Sequence, residues 1–164
     1  MKLTSQTRLF FDASVLVAGS HSLTGASSLI LQACQIGGFR ACASIAVLKE
    51  AETNIKADLP HATLLRYYSL LAEISWEIGP LPSRRAVEAY HGVVDAKDAH
   101  VIASAVACSA EFLLTLDKKH LLIESIGRAG LQLIIVSPGE FIQNYYHFHD
   151  EYPASLSPTR EGKP

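Results

Sequence analysis

The sequence predicts an α/β fold in which a parallel sheet lies between helices in three layers. Three observations predict it. Short unbroken apolar runs, such as Leu9-Phe10-Phe11 and Leu133–Val136, read as strands buried on both faces. Other segments carry apolar residues at the i, i+3, i+4, i+7 spacing of a helix with one buried face. The two kinds alternate along the 164 residues, which is the pattern of strands joined by crossover helices.

Each element follows from local chemistry. Leu9–Phe11 forms the first strand and stops at Asp12. Thr24 to Ile36 reads as a helix with Leu29, Ile30, Ala33 and Ile36 on one face, ended by Gly37-Gly38. Phe39–Ala43 is a second strand, and Ser44 is placed to cap a helix from Ile45 to about Lys56. Pro60 opens another helix with Leu64, Leu65, Tyr68 and Leu71 on one stripe. Ile74–Ile78 is a strand ended by Gly79-Pro80-Leu81-Pro82, and Ser83 to Tyr90 a weaker helix. Asp95 to Ser109 is a stronger helix, with Ala99, Ile102, Ala103 and Val106 in register. Phe112–Leu116 is a strand ending at Asp117, Lys118–Ile126 a short helix, and Leu133–Val136 the last strand. Pro138 then starts a helix at its favoured first-turn position, running to about Tyr146.

Length and composition fit one domain, residues 1–149. With 49% hydrophobic residues, a chain of this size can bury roughly 70% of its unfolded surface. Residues 150–164 hold three prolines and no helical period, and are expected to form a flexible tail. The net charge of −2 speaks against a broad basic face for nucleic acid, but an enzyme that grips phosphate through metal ions needs fewer cations of its own. Cys34, Cys42 and Cys108 are widely spaced and form no zinc pattern, so they read as reduced buried thiols. No apolar run reaches the 18 residues of a membrane span, and Met1–Arg8 lacks the apolar region of a secretory signal. A cytoplasmic protein is expected.

Four carboxylates stand where this layout can gather them. Asp12 ends the first strand, Glu50 lies in the helix after the second, Asp98 is in the first turn of a later helix, and Asp117 ends the strand that helix feeds. Open parallel sheets bind ligands beyond the carboxyl ends of their strands, where strand order reverses. Grouped carboxylates repel unless a cation compensates, and hard oxygen donors suit Mg²⁺ or Mn²⁺. Such ions activate water against a phosphodiester. Each acid also has a plainer use. Asp12 can cap the turn that follows it, Asp117 can cap the helix beginning at Lys118, Glu50 can be a solvated charge beside Lys49 and Glu52, and Asp98 can partner an Asp95 cap.

At this point the residues resemble a known family. "LFFDASVLVAGS" resembles the opening of PIN domains, a strand ending in Asp followed two residues later by Asn, Ser or Thr. "SIAVLKEAETNI" is similar to their second acidic segment, a helix with Glu six residues after a Ser, and that Glu is Glu50. "DAKDAHVIASAVACSAEFLLTLDKKHL" resembles the family's acidic helix and Thr-x-Asp strand end, matching Asp98, Thr115 and Asp117. "LQLIIVSPGEFI" is similar to the final strand and helix start, so the resemblance runs from about Leu9 to Tyr146. It implies a five-stranded parallel sheet in the order 3-2-1-4-5, and cleavage of single-stranded RNA with Mg²⁺ or Mn²⁺. Many bacterial members resemble VapC toxins, which implies an antitoxin protein as partner and a homodimer. Catalytic and metal-binding roles are implied for Asp12, Glu50, Asp98 and Asp117, with Ser14 and Thr115 supporting them. Ser14 departs from the commoner Asn, but its hydroxyl can still bond a carboxylate.

Other residues carry chemistry of their own. Lys97, Lys118 and Lys119 flank the acids and can approach an RNA backbone, whereas Arg84 and Arg85 read as surface charges. His147 and His149 do not share a helix face, so they make a poor metal pair. His100 is a candidate base, and Trp76 reads as core or interface. Leu64, Tyr67, Tyr68 and Leu71 crowd one helix and can serve a core or a two-fold interface. Three readings follow: an RNA-cleaving enzyme, a PIN scaffold that only binds, and another Mg²⁺-dependent phosphate enzyme or receiver domain. The last is disfavoured by Ser14, where an aspartyl-phosphate enzyme wants a second Asp.

Overall fold

The computed structural model describes residues 1–91, 94–117 and 133–152. Its strands are β1 (Arg8–Phe11), β2 (Arg40–Ala43), β3 (Glu77–Ile78), β4 (Phe112–Leu114) and β5 (Ile134–Val136). They form one sheet in the order β3-β2-β1-β4-β5, with every neighbouring pair parallel. This is the order the resemblance implied. Among the described residues, seven α-helices flank the sheet: α1 (Ala13–His21), α2 (Ala26–Gln35), α3 (Ile45–Asp58), α4 (His61–Glu73), α5 (Arg84–Glu88), α6 (Ala96–Ala107) and α7 (Pro138–Asn144). The helices α1 to α4 pack on one another, α7 joins them through α2, and α5 packs on α6, which lies against β2 and β4.

The central strands are buried because their side chains are apolar on both faces: Leu9, Phe10, Phe11, Leu113 and Leu114 are all fully inaccessible. At one end of the core, Phe39, Phe112, Phe141 and Tyr146 meet edge to face, with Phe112 and Phe141 ring centres 5.0 Å apart. Register places Phe11 beside Leu114, and the Asp12 N–H continues the ladder by donating to the Leu114 carbonyl at 3.0 Å. Chain order reverses between β1 and β4, so the crevice beyond their carboxyl ends is the switch point of the sheet.

Four local expectations need correction. α1 was not foreseen as a helix. His21 alone of its nine residues is exposed, so the segment has no polar face to reveal a helical period. The α4 stripe is rotated: Thr63, Leu64 and Tyr67 are buried, while Leu65 and Tyr68 face outward at 53% and 38% exposure. Hydrogen bonds draw that face in, since Thr63 Oγ1 meets His21 Nδ1 and Arg66 Nη2, and the Tyr67 hydroxyl donates to the Leu48 carbonyl at 2.7 Å. β3 keeps only two of its five expected residues, because the Ile74 N–H still closes α4 by donating to Leu70. β4 ends at Leu114 rather than Leu116, as the Thr115 hydroxyl turns the chain by accepting from the Asp117 N–H.

The capping expected at Ser44 and Asp95 is present, Ser83 caps α5 as well, and Ser137 with Glu140 closes a full capping box ahead of α7. Gly37 takes φ +84 after α2, the left-handed conformation that ends the helix. Asp150, where the tail was expected to begin, is held by donation from its N–H to the Leu3 carbonyl. The rest of that tail and the expected helix Lys118–Ile126 lie outside the described residues. All three cysteines are free thiols, Cys34 and Cys42 buried. Among the described residues no single helix is long and apolar enough to cross a membrane.

Candidate active site

Asp12 is the centre of the rim. It is 8% exposed, and each carboxylate oxygen has a donor. Oδ1 accepts from the Ala13 N–H at 2.9 Å, which also caps α1. Oδ2 accepts from the Thr115 hydroxyl at 2.7 Å and from the Ser14 hydroxyl at 3.2 Å. Ser14 Oγ in turn accepts from the Leu116 N–H at 3.0 Å, and Thr115 Oγ1 from the Asp117 N–H at 3.0 Å. These two hydroxyls therefore staple the end of β1 to the chain leaving β4. Burial pushes the Asp12 carboxyl above its ordinary range, the hydrogen bonds from Thr115, Ala13 and Ser14 oppose this, and the charge of Glu50 adds to the rise.

Asp98 comes to the rim from the first turn of α6. It is 6% exposed, whereas its neighbour Asp95 is exposed and accepts the Asp98 N–H at 3.2 Å as the helix cap. Glu50 comes from α3, its side chain 25% exposed, and forms an ion pair with Lys97. The Lys97 ammonium is raised above its ordinary range, first by the Glu50 hydrogen bond, with the charges of Glu50, Asp12 and Asp98 contributing. Of these acids, Glu50 is the one that contacts the ammonium. Asp117, half-buried, stands two residues beyond Thr115 and is joined to Asp12 through it. Lys118 and Lys119 lie outside the described residues.

The donor set fits a hard divalent cation, being all carboxylate oxygen with hydroxyls in support. As the side chains stand, however, no three His, Cys, Asp or Glu among the described residues are grouped closely enough to hold an ion. Beside the rim, Ala46, Val47, Glu50, Lys97, His100 and Val101 line an open hollow of about 310 Å³. His100 faces it from α6, with Nδ1 3.5 Å from the Ser104 hydroxyl.

The remaining candidates are structural. Trp76 packs edge to face on Phe11 and donates to the Leu70 carbonyl. Arg84 pairs with Glu88 on an exposed helix face. His149 is buried and braces the chain: its Nε2 meets the Gly38 carbonyl at 2.7 Å, and its Nδ1 meets the Glu151 N–H and the Asp150 carboxylate. Sequence reasoning missed the Lys97–Glu50 pair. The two residues are far apart in the chain, and only the packing of α6 against β2 and β4 indicates how α3 and α6 come to share one rim.

A family model described as PIN domain matches residues 8–119. No curated protein sequence matches the chain. Among solved structures, the fold is similar to a chain of VapBC2 from Rickettsia felis, a complex bound to a DNA fragment from their promoter. That likeness has TM-score 0.57 at 15% identity and covers 80% of this chain and 98% of the other. PAE2754 from Pyrobaculum aerophilum is also similar, with TM-score 0.51 at 15% identity, covering 83% of this chain and 88% of the other.

Proposed function

The chain belongs to the PIN-domain family, whose members are generally nucleases that use divalent metal ions, and from that premise we propose that it is an endoribonuclease cleaving single-stranded RNA with Mg²⁺ or Mn²⁺. The observation that carries this reading is Asp12, a buried carboxylate at the carboxyl end of the central strand, held by two hydroxyls and feeling the charge of Glu50, which pairs with Lys97. A buried, desolvated carboxylate beside another acid costs stability, and such groups cluster where function requires them.

Asp12, Asp98 and Asp117 would hold the ion, with Glu50 completing the acidic ring. When bound, the ion lowers the pKa of water and offsets the charge gathering on the phosphate. The chain's own residues supply position. Ser14 and Thr115 restrain Asp12 in one orientation, and the α6 cap at Asp95 sets the turn that carries Asp98. Lys97, with Lys118 and Lys119, would approach the RNA backbone. Water oxygen bonds to phosphorus while one of its protons passes to solvent, the bond from phosphorus to the 3′-oxygen breaks, and that oxygen takes a proton from solvent, leaving a 5′-phosphate and a 3′-hydroxyl. The similarity to VapBC2 supports a toxin role with an antitoxin partner, and the protein is proposed to act as a cytoplasmic homodimer.

A binding-only scaffold draws on one observation, that no three ligand side chains among the described residues are grouped for an ion. A panel of single-stranded RNAs incubated with Mn²⁺ or with EDTA separates the two. The nuclease reading expects cleavage with Mn²⁺ and none with EDTA; binding without cleavage on every RNA, with Mg²⁺ as with Mn²⁺, would favour the scaffold.

A further inference from the structure

We propose that Lys97 is a built-in counter-ion of the carboxylate rim, holding Glu50 in the metal-free protein and giving it up when a divalent cation arrives. This rests on the metal-dependent reading above and names the residue that gates it.

Lys97 is locally misplaced. It is the second residue of α6, after the Asp95 cap, where the helix end carries partial positive charge and disfavours a cation. Its placement is explained by what surrounds it: an ion pair to Glu50 from α3, with Asp12 and Asp98 close enough to act on its charge. Carboxylates gathered on one rim repel one another, and in the metal-free protein the ammonium offsets that repulsion at Glu50, the acid it contacts. It also has a way out. The Lys97 side chain is 70% exposed against 25% for Glu50, and both line the open hollow of about 310 Å³. The lysine can swing toward solvent while Glu50 stays, so a metal ion and the ammonium compete for one carboxylate. Once displaced, the same ammonium is free to meet a phosphate at that hollow.

Competition predicts that removing the lysine tightens metal binding. Exposed ion pairs are weak, so the effect is modest, roughly two- to five-fold in Mn²⁺ dissociation constant. The test is calorimetric titration of Mn²⁺, without RNA, into wild type, Lys97→Met, Lys97→Arg and Lys56→Met, together with the melting temperature of each metal-free protein. Lys56→Met breaks a comparable exposed pair with Glu52 away from the rim. The proposal expects tighter Mn²⁺ binding and a lower metal-free melting temperature in Lys97→Met, with the other two variants near wild type. Mn²⁺ binding by Lys97→Met alone would support it further. Equal or weaker binding by Lys97→Met, where wild type does bind, would overturn the proposal and leave the nuclease reading standing. Absence of Mn²⁺ binding in wild type and Lys97→Met alike would overturn both.

Discussion

Replacing Thr115 with Val tests how Asp12 is held. The side chain is fully inaccessible, and Val keeps its shape while removing the hydroxyl. Two hydrogen bonds go with it: donation to Asp12 Oδ2 at 2.7 Å, and acceptance from the Asp117 N–H at 3.0 Å. A short bond to an ionised acceptor contributes about 1.5–3 kcal/mol, and the second about 0.5–1.5 kcal/mol, partly recovered because half-buried Asp117 can reach water. The variant should therefore lose about 2–4 kcal/mol. In urea denaturation that is a midpoint lower by roughly 1–2 M. The loss should fall by about half in an Asp12→Asn background, where the acceptor is neutral, so the two changes should be non-additive in a double-mutant cycle. A loss below about 1 kcal/mol, or strict additivity, would refute the claim that Thr115 anchors a charged Asp12.

Two further outcomes are expected. Mn²⁺ at about a hundred times its dissociation constant should stabilise wild type by about 2.7 kcal/mol, a rise of roughly 5–10 °C in melting temperature; Asp12→Asn should show less than half that rise, and an equal rise would contradict Asp12 as a ligand. At the opposite end of the sheet, Glu77 joins Arg8 and Arg40 at 2.9 and 3.0 Å, and the Arg8 hydrogen bond holds its carboxyl below the usual range. A depressed folded pKa gives stability that is present above the ordinary carboxylate range and lost as pH falls through the lowered value. Wild type should thus exceed Glu77→Gln by up to about 1 kcal/mol at pH 7, the pair being partly exposed, and the gap should close below about pH 4 in denaturation measured across pH; a gap that persists at pH 2.5 would contradict this.

Elements with strong local chemistry were readable from the chain alone. Strands β1, β4 and β5 announced themselves as apolar runs, and Ser44, Asp95, Gly37 and Pro138 marked helix ends. Helix α1 was hidden because burial on nearly all sides erases periodicity. The α4 face was misjudged because a polar residue, Thr63, is drawn inward by His21 and Arg66, a tertiary preference that apolar spacing cannot reveal. At the rim, Asp12 and Asp98 were legible as acids at element ends, whereas Ser14 and Thr115 were marked only by the resemblance to PIN domains. Their hydrogen bonds to one another, and the Lys97–Glu50 pair, depend on chain segments far apart in sequence.

The central claim is that Asp98, and not its exposed neighbour Asp95, serves cleavage at this rim. Single-stranded RNA cleavage in Mn²⁺ by Asp98→Asn and Asp95→Asn, with the stability of each measured in parallel, tests it directly. Asp98→Asn should lose most cleavage with little loss of stability. Asp95→Asn should cleave as wild type and lose about 1 kcal/mol at most, since Asn also caps helices. Cleavage that survives loss of Asp98 but not of Asp95, or that continues in EDTA, would contradict the account.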